Sequence, residues 1–145
     1  MNGLSRVIAL SFVIASVLVS VGVMEARAAG AKAKVEAAQA KGLPVFVDVG
    51  RTSCVPCQLM VPVLAELTKK YKGRVEVVFV HMDEERDYSR ELGVTMIPTQ
   101  IYFDKDGKEL ARHIGYMPVE ECEKMISKAG PVGQGKVCGP GKVCK

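Results

Sequence analysis

Cys54 and Cys57 stand two residues apart, separated by Val55 and Pro56, in a 145-residue chain that carries five cysteines. Thiols at this spacing can open and close as a disulfide, hold copper(I) or zinc, or act as a fixed staple. Zinc would need further ligands at compatible spacing, and neither His81 nor His113 belongs to a matching pattern. Both histidines read as ordinary strand residues. Redox exchange makes its own demands, because a thiolate attacks disulfides and a thiol does not. The start of a helix can stabilise that anion with its unpaired N–H groups and its dipole. Asp48 lies six residues before Cys54 and interrupts the run Val45-Phe46-Val47-Asp48-Val49. A carboxyl held among those side chains has little water, so its pKa rises and it could hold or release a proton near neutral pH. An acid at a strand end would instead reach solvent.

These residues need elements to position them. The run around Asp48 is short, apolar and β-branched, the pattern of a central strand covered on both faces. Residues 50–53 form a turn, and a helix runs from Cys54 or Val55 to about Tyr71, with Met60, Val63, Leu64 and Leu67 at helical spacing. Pro56 suits the first turn, Pro62 inside the helix predicts a kink, and Gly73 closes it. Residues 75–80 form a second strand, after which Asp83-Glu84-Glu85 open a short helix that reaches Leu92 and stops at Gly93. Strand, helix, strand implies a parallel pair with a right-handed crossover. Ile97-Pro98-Thr99 leads into a third strand over 100–103, and Asp104-Lys105-Asp106-Gly107 turns the chain back into a fourth that ends at Ile114. Pro118 starts a last helix with Val119, Cys122, Met125, Ile126 and Ala129 on one face, so Cys122 reads as a buried, inert thiol. The order βαβαββα predicts an α/β fold, a mixed four-stranded sheet with helices on both faces.

The flanks are different. Residues 1–6 carry one basic side chain, residues 7–24 carry no charge, and Glu25-Ala26-Arg27-Ala28 follows. This is the pattern of a signal peptide over residues 1–28, cut after Ala28, or of a membrane anchor where it stays uncut. Either places the domain outside the cytoplasm, periplasmic or on the outer membrane face, with Arg6 supporting that orientation. Residues 29–44 form a lead-in: the Ala-, Lys- and Gln-rich stretch over 30–41 predicts a solvated, connective helix that ends at Gly42. Residues 45–130 then form the domain. Residues 131–145 read as a flexible Gly-rich tail in which Gly-Lys-Val-Cys occurs twice, ending at Cys138 and Cys144. Those two cysteines could close a second disulfide, pass electrons to or from Cys54 and Cys57, or bind metal. A net charge of +4, dispersed among acids, excludes a nucleic-acid footprint.

From about Leu43 to Ala129 the chain resembles the thioredoxin family. The likeness rests on the dithiol at a strand-to-helix junction, Asp48 six residues before it, Pro62 five after it, Ile97-Pro98-Thr99 opening the third strand, and Gly115 after the fourth. The family's usual Trp-Cys-Gly-Pro-Cys is here Ser53-Cys54-Val55-Pro56-Cys57, its lysine near the buried acid is Phe79, and its extra first strand is missing. The resemblance implies a three-layer sandwich and a thiol:disulfide oxidoreductase that needs no cofactor. It makes Cys54 the nucleophile, Cys57 the resolving thiol and Asp48 its general base and acid through water. It also makes Pro98 cis and facing the dithiol, and leaves the Ile97 backbone to pair with an extended substrate beside Val55 and Pro56. The expected partners are protein disulfides, with electrons drawn from a membrane thiol:disulfide transporter of the Ccd/Dsb type. The domain is expected to act as a monomer and as a reductant. The alternative is a thiolate metal-binding module on the same fold, a copper or zinc chaperone.

Overall fold

Strand β1 (Val45–Gly50) is buried along its whole length, as its β-branched composition requires of a central strand. The computed structural model describes residues 30–128. Ahead of β1 lies helix α1 (Ala31–Ala40), and after it come α2 (Val55–Lys70), β2 (Glu76–His81), α3 (Arg86–Glu91), β3 (Thr99–Phe103), β4 (Glu109–Ile114) and α4 (Val119–Lys128). The sheet order is β2-β1-β3-β4. β1 runs parallel to β2 and antiparallel to β3, and β3 pairs antiparallel with β4. This is the mixed α/β sandwich expected from βαβαββα.

Alternation along β1 sends its residues to two different cores. Phe46 joins Met60, Leu67 and Tyr71 of the α2 segment, Tyr102 of β3, and Cys122 and Ile126 of α4. Val45, Val47 and Val49 join Val78, Val80 and Ile101 in a second core that is closed by α1, with Tyr88 and Leu92 of the α3 region packed against it. Helices α2 and α4 therefore cover one face and α1 and α3 the other. Across the first face, Lys70 at the end of α2 pairs with Glu123 of α4.

Two local expectations are corrected. Helix α1 is not merely solvated and connective: Ala31, Val35 and Ala38 are buried and pack on the sheet. Spaced i, i+4 and i+7, they make one apolar stripe. The helix is also anchored laterally, where the Ala31 N–H donates to Glu85 Oε1 at 3.0 Å and Lys32 pairs with Glu91. Of the acids 83–85 only Glu85 meets α3, as its N-cap, and the helix itself begins at Arg86. The His81 carbonyl accepts from both Glu84 and Glu85 N–H, and these bonds hold that stretch in tight turns ahead of the helix.

Candidate active site

The dithiol sits where β1 hands over to α2. Cys54 is the N-cap of α2, in extended conformation, and its Sγ accepts the N–H of Cys57 at 3.4 Å. Its carbonyl accepts from Gln58 at 3.0 Å, and the Gln58 side chain reaches back to the Thr52 carbonyl at 2.7 Å. The turn that delivers Cys54 is thereby locked to the first turn of the helix. Pro56 occupies that turn, where a missing N–H costs nothing. Cys54 and Cys57 are joined as a disulfide with Cα atoms 5.2 Å apart. They differ in access, since Cys54 is half-buried and Cys57 is 2% exposed.

Gly50, the last residue of β1, forms the wall against Cys57. A β-carbon there would lie 3.2 Å from Cys57 Cβ, 3.3 Å from its Sγ and 3.1 Å from Phe79 Cε2. Sequence reasoning placed Gly50 in a turn and missed this contact. Asp48 lies two residues back on the same face of the strand, roughly 7 Å along it. Its neighbours in register are Phe79 on β2 and Gln100 on β3. Asp48 is fully buried, and its Oδ1 accepts from Gln100 Nε2 at 2.7 Å while its Oδ2 has no partner among the described residues. Burial pushes the carboxyl up to about 6 against the opposing pull of the Gln100 bond. Phe79 opposite it supplies no charge, so β2 offsets none of the desolvation. Gln100 was also missed, although a glutamine between Thr99 and Ile101, at a position whose alternation aims it into the Asp48 core, is the signal that could have found it.

The Ile97–Pro98 bond is cis, and Pro98 is buried. Its carbonyl accepts the Gly115 N–H at 2.8 Å, and Thr99 Oγ1 donates to the Met96 carbonyl at 2.6 Å. The loop is thus pinned from both sides, while the backbone of Ile97 makes no backbone hydrogen bond among the described residues. Because β3 is antiparallel to β1, this loop and the end of β4 come to the same end of the sheet as the dithiol. Val55, Met96, Ile114 and Tyr116 there are all exposed. Cys122 is fully buried on α4, and burial followed by the charge of Asp48 pushes its thiol up to about 12. His113 stands opposite Gln100 on β4, and His81 ends β2 beside the Phe79 ring. Among the described residues no three His, Cys, Asp or Glu side chains converge as metal ligands. Cys138 and Cys144 lie outside the described residues.

Residues 31–130 match the profile of a family described as a thioredoxin-like domain. The chain belongs to that family. Thioredoxin-like proteins of this kind are thiol:disulfide oxidoreductases, and Cys54 with Cys57 is the redox pair here. The chain is 36% identical over 84 residues to a thioredoxin of Alicyclobacillus acidocaldarius, spanning 58% of this chain and 79% of that one. It is 34% identical over 83 residues to a thioredoxin of Staphylococcus aureus, spanning 57% and 79% respectively. Among solved structures, chloroplastic thioredoxin z superposes with a TM-score of 0.58 at 28% identity, covering 66% of this chain and 87% of that one.

Proposed function

We propose that this thioredoxin-like protein works outside the cytoplasm as a reductant of protein disulfides. The observation that carries the chemistry is the asymmetry of the pair: one reachable sulfur at a helix start, one enclosed sulfur walled by Gly50, and a buried acid on the same strand. The Cys54 thiolate attacks a substrate disulfide, forming one S–S bond and releasing the first substrate thiolate. Cys57 then gives its proton, through water, to Asp48 and bonds to Cys54 Sγ. The substrate–Cys54 bond breaks, its electron pair leaves with the second substrate sulfur, and both released thiolates take protons from water. The cysteine pair ends oxidised and the substrate disulfide reduced. A substrate segment in extended form fits the backbone of Ile97, which is unpaired among the described residues, beside Pro98, with Val55, Pro56 and Met96 around it.

The location rests on the residues 1–28 pattern. Among the described residues no helix is long and apolar enough to cross a membrane. Electrons return to Cys54 and Cys57 from a membrane thiol:disulfide transporter, the class of donor that such a location requires. Cys57→Ala, expressed with its leader, should accumulate mixed disulfides on Cys54 that dissolve on reduction; recovery of no linked partner would overturn the enzyme's protein-disulfide role. The potential separates reductant from oxidant, since this fold spans about −270 mV to about −120 mV. A value near the upper end would sink the reductant reading.

A further inference from the structure

The Asp48 pocket contains a second polar side chain that the reaction above does not use. Gln100 is fully buried, as is Asp48, and the two are register partners across β1 and β3. One hydrogen bond joins them, Nε2 to Oδ1 at 2.7 Å. Each keeps one buried oxygen without a partner among the described residues, Oδ2 on the acid and Oε1 on the amide. Two acceptor oxygens buried side by side without a protein partner are unfavourable, because burial weakens their access to water. One proton placed on Oδ2 could satisfy both, since a carboxylic acid and a primary amide pair through two complementary hydrogen bonds. An apolar residue would fill the space without this capacity.

We infer that Gln100 is a positioning residue for the proton exchange of Asp48, its amide serving both charge states of the acid: Nε2–H bonds Oδ1 throughout, and Oε1 accepts the proton once Oδ2 carries it. The inference rests on the reading of Asp48 as the group that takes the Cys57 proton. In the resolving step that proton arrives on Oδ2, and the acid needs no rotation to accept it because Oδ1 is already held. When the dithiol is reduced again the proton returns to Cys57 and Oδ2 becomes an acceptor once more. Among the described residues β2 contributes Phe79, α2 contributes Cys57, α4 contributes Cys122 as a neutral thiol, and β4 contributes His113, the register partner of Gln100 on its other side. Among the described residues the Gln100 amide is the side chain that hydrogen-bonds the acid.

The test is Gln100→Met, which keeps the length and shape of the side chain and removes the amide. Two readouts are needed: the carbon-13 titration of the Asp48 carboxyl, and the pH profile of insulin disulfide reduction by the reduced protein. The ionised acid loses a charge-assisted bond, offset in part by the weaker neutral bonds that the protonated acid loses, so the Asp48 midpoint should move up by about one pH unit. The acid limb of the profile should follow it, and in an Asp48→Asn background Gln100→Met should leave the profile unmoved. A wild-type Asp48 midpoint in Gln100→Met overturns the role of Gln100, whatever the profile does. A profile indifferent to Asp48→Asn overturns instead the reading of Asp48, and the carboxyl titration still reports on the pair. Should Gln100→Met fail to fold, Gln100→Glu retains the shape. Two carboxyls sharing one site should then titrate in two well-separated steps, and independent titration of both near pH 4 to 5 would refute the pairing.

Discussion

Asp48→Asn should stabilise the folded protein at alkaline pH while slowing its chemistry. The carboxyl titrates at about 6 in the folded state against an ordinary 3.8, because burial penalises its charge. A raised acid pKa gives stability that is fully present below the unfolded value and lost as pH climbs through the folded one. Between 3.8 and about 6 the loss accumulates, and above that it is complete. At ~1.36 kcal/mol per pH unit the interval is worth about 3 kcal/mol, a large share of the roughly 5–15 kcal/mol that holds a domain together. Asparagine is neutral in both states, keeps an oxygen to accept from Gln100, and escapes this term. Urea unfolding of the oxidised protein, followed by far-ultraviolet circular dichroism because the chain has no Trp, should therefore show a stability gap between variant and parent. That gap should be larger at pH 8 than at pH 4 by about 2–3 kcal/mol. At roughly 4–8 °C per kcal/mol for a domain of this size, the melting temperature at pH 8 should rise by about 10 °C or more relative to the gap at pH 4. A gap that does not change with pH would refute the argument that burial outweighs the Gln100 bond at the charged carboxyl.

Two other substitutions or reagents probe the walls of the site. Gly50→Ala places a methyl group within 3.3 Å of Phe79 and Cys57 atoms, so it should cost about 1–3 kcal/mol by overpacking and slow disulfide exchange; unchanged urea stability would show that the wall can yield. Cys122, with its thiol pushed up to about 12, has only about one thiolate in ten thousand at pH 8. Its peptide, followed by mass spectrometry, should be alkylated by iodoacetamide only as fast as the protein unfolds, and rapid labelling of the folded protein would contradict the packing around α4.

Much of the site was legible because its residues are conspicuous in their own neighbourhoods. Cys54 and Cys57 announce themselves by spacing, and Asp48 by being the single charge in an apolar run. β1 and β2 are short and rich in valine, which few other structures favour. What escaped notice depends on partners far along the chain. Gln100 acquires meaning only when β3 comes to lie beside β1, 52 residues away, and a lone polar residue in a strand otherwise reads as turned toward solvent. Gly50 looks like turn material until α2 folds back over it. The buried stripe of α1 consists of two alanines and a valine, too little apolar surface to stand out in a lysine-rich helix, and it becomes a core face because the valines of β1 and β2 need cover. The start of α3 was misplaced because acids favour both helix openings and the turns that precede them.

The course of β1 has one more consequence. Acid, wall and dithiol are strung along a single stretch from Asp48 to Cys57, and the strand that begins it is hydrogen-bonded on both sides and shielded by helices on both faces. Such a strand opens only when the whole domain does. On heating, the catalytic apparatus has no loose part to fail early, so loss of activity and loss of fold should coincide, and a preparation that still holds its sheet will still hold its function.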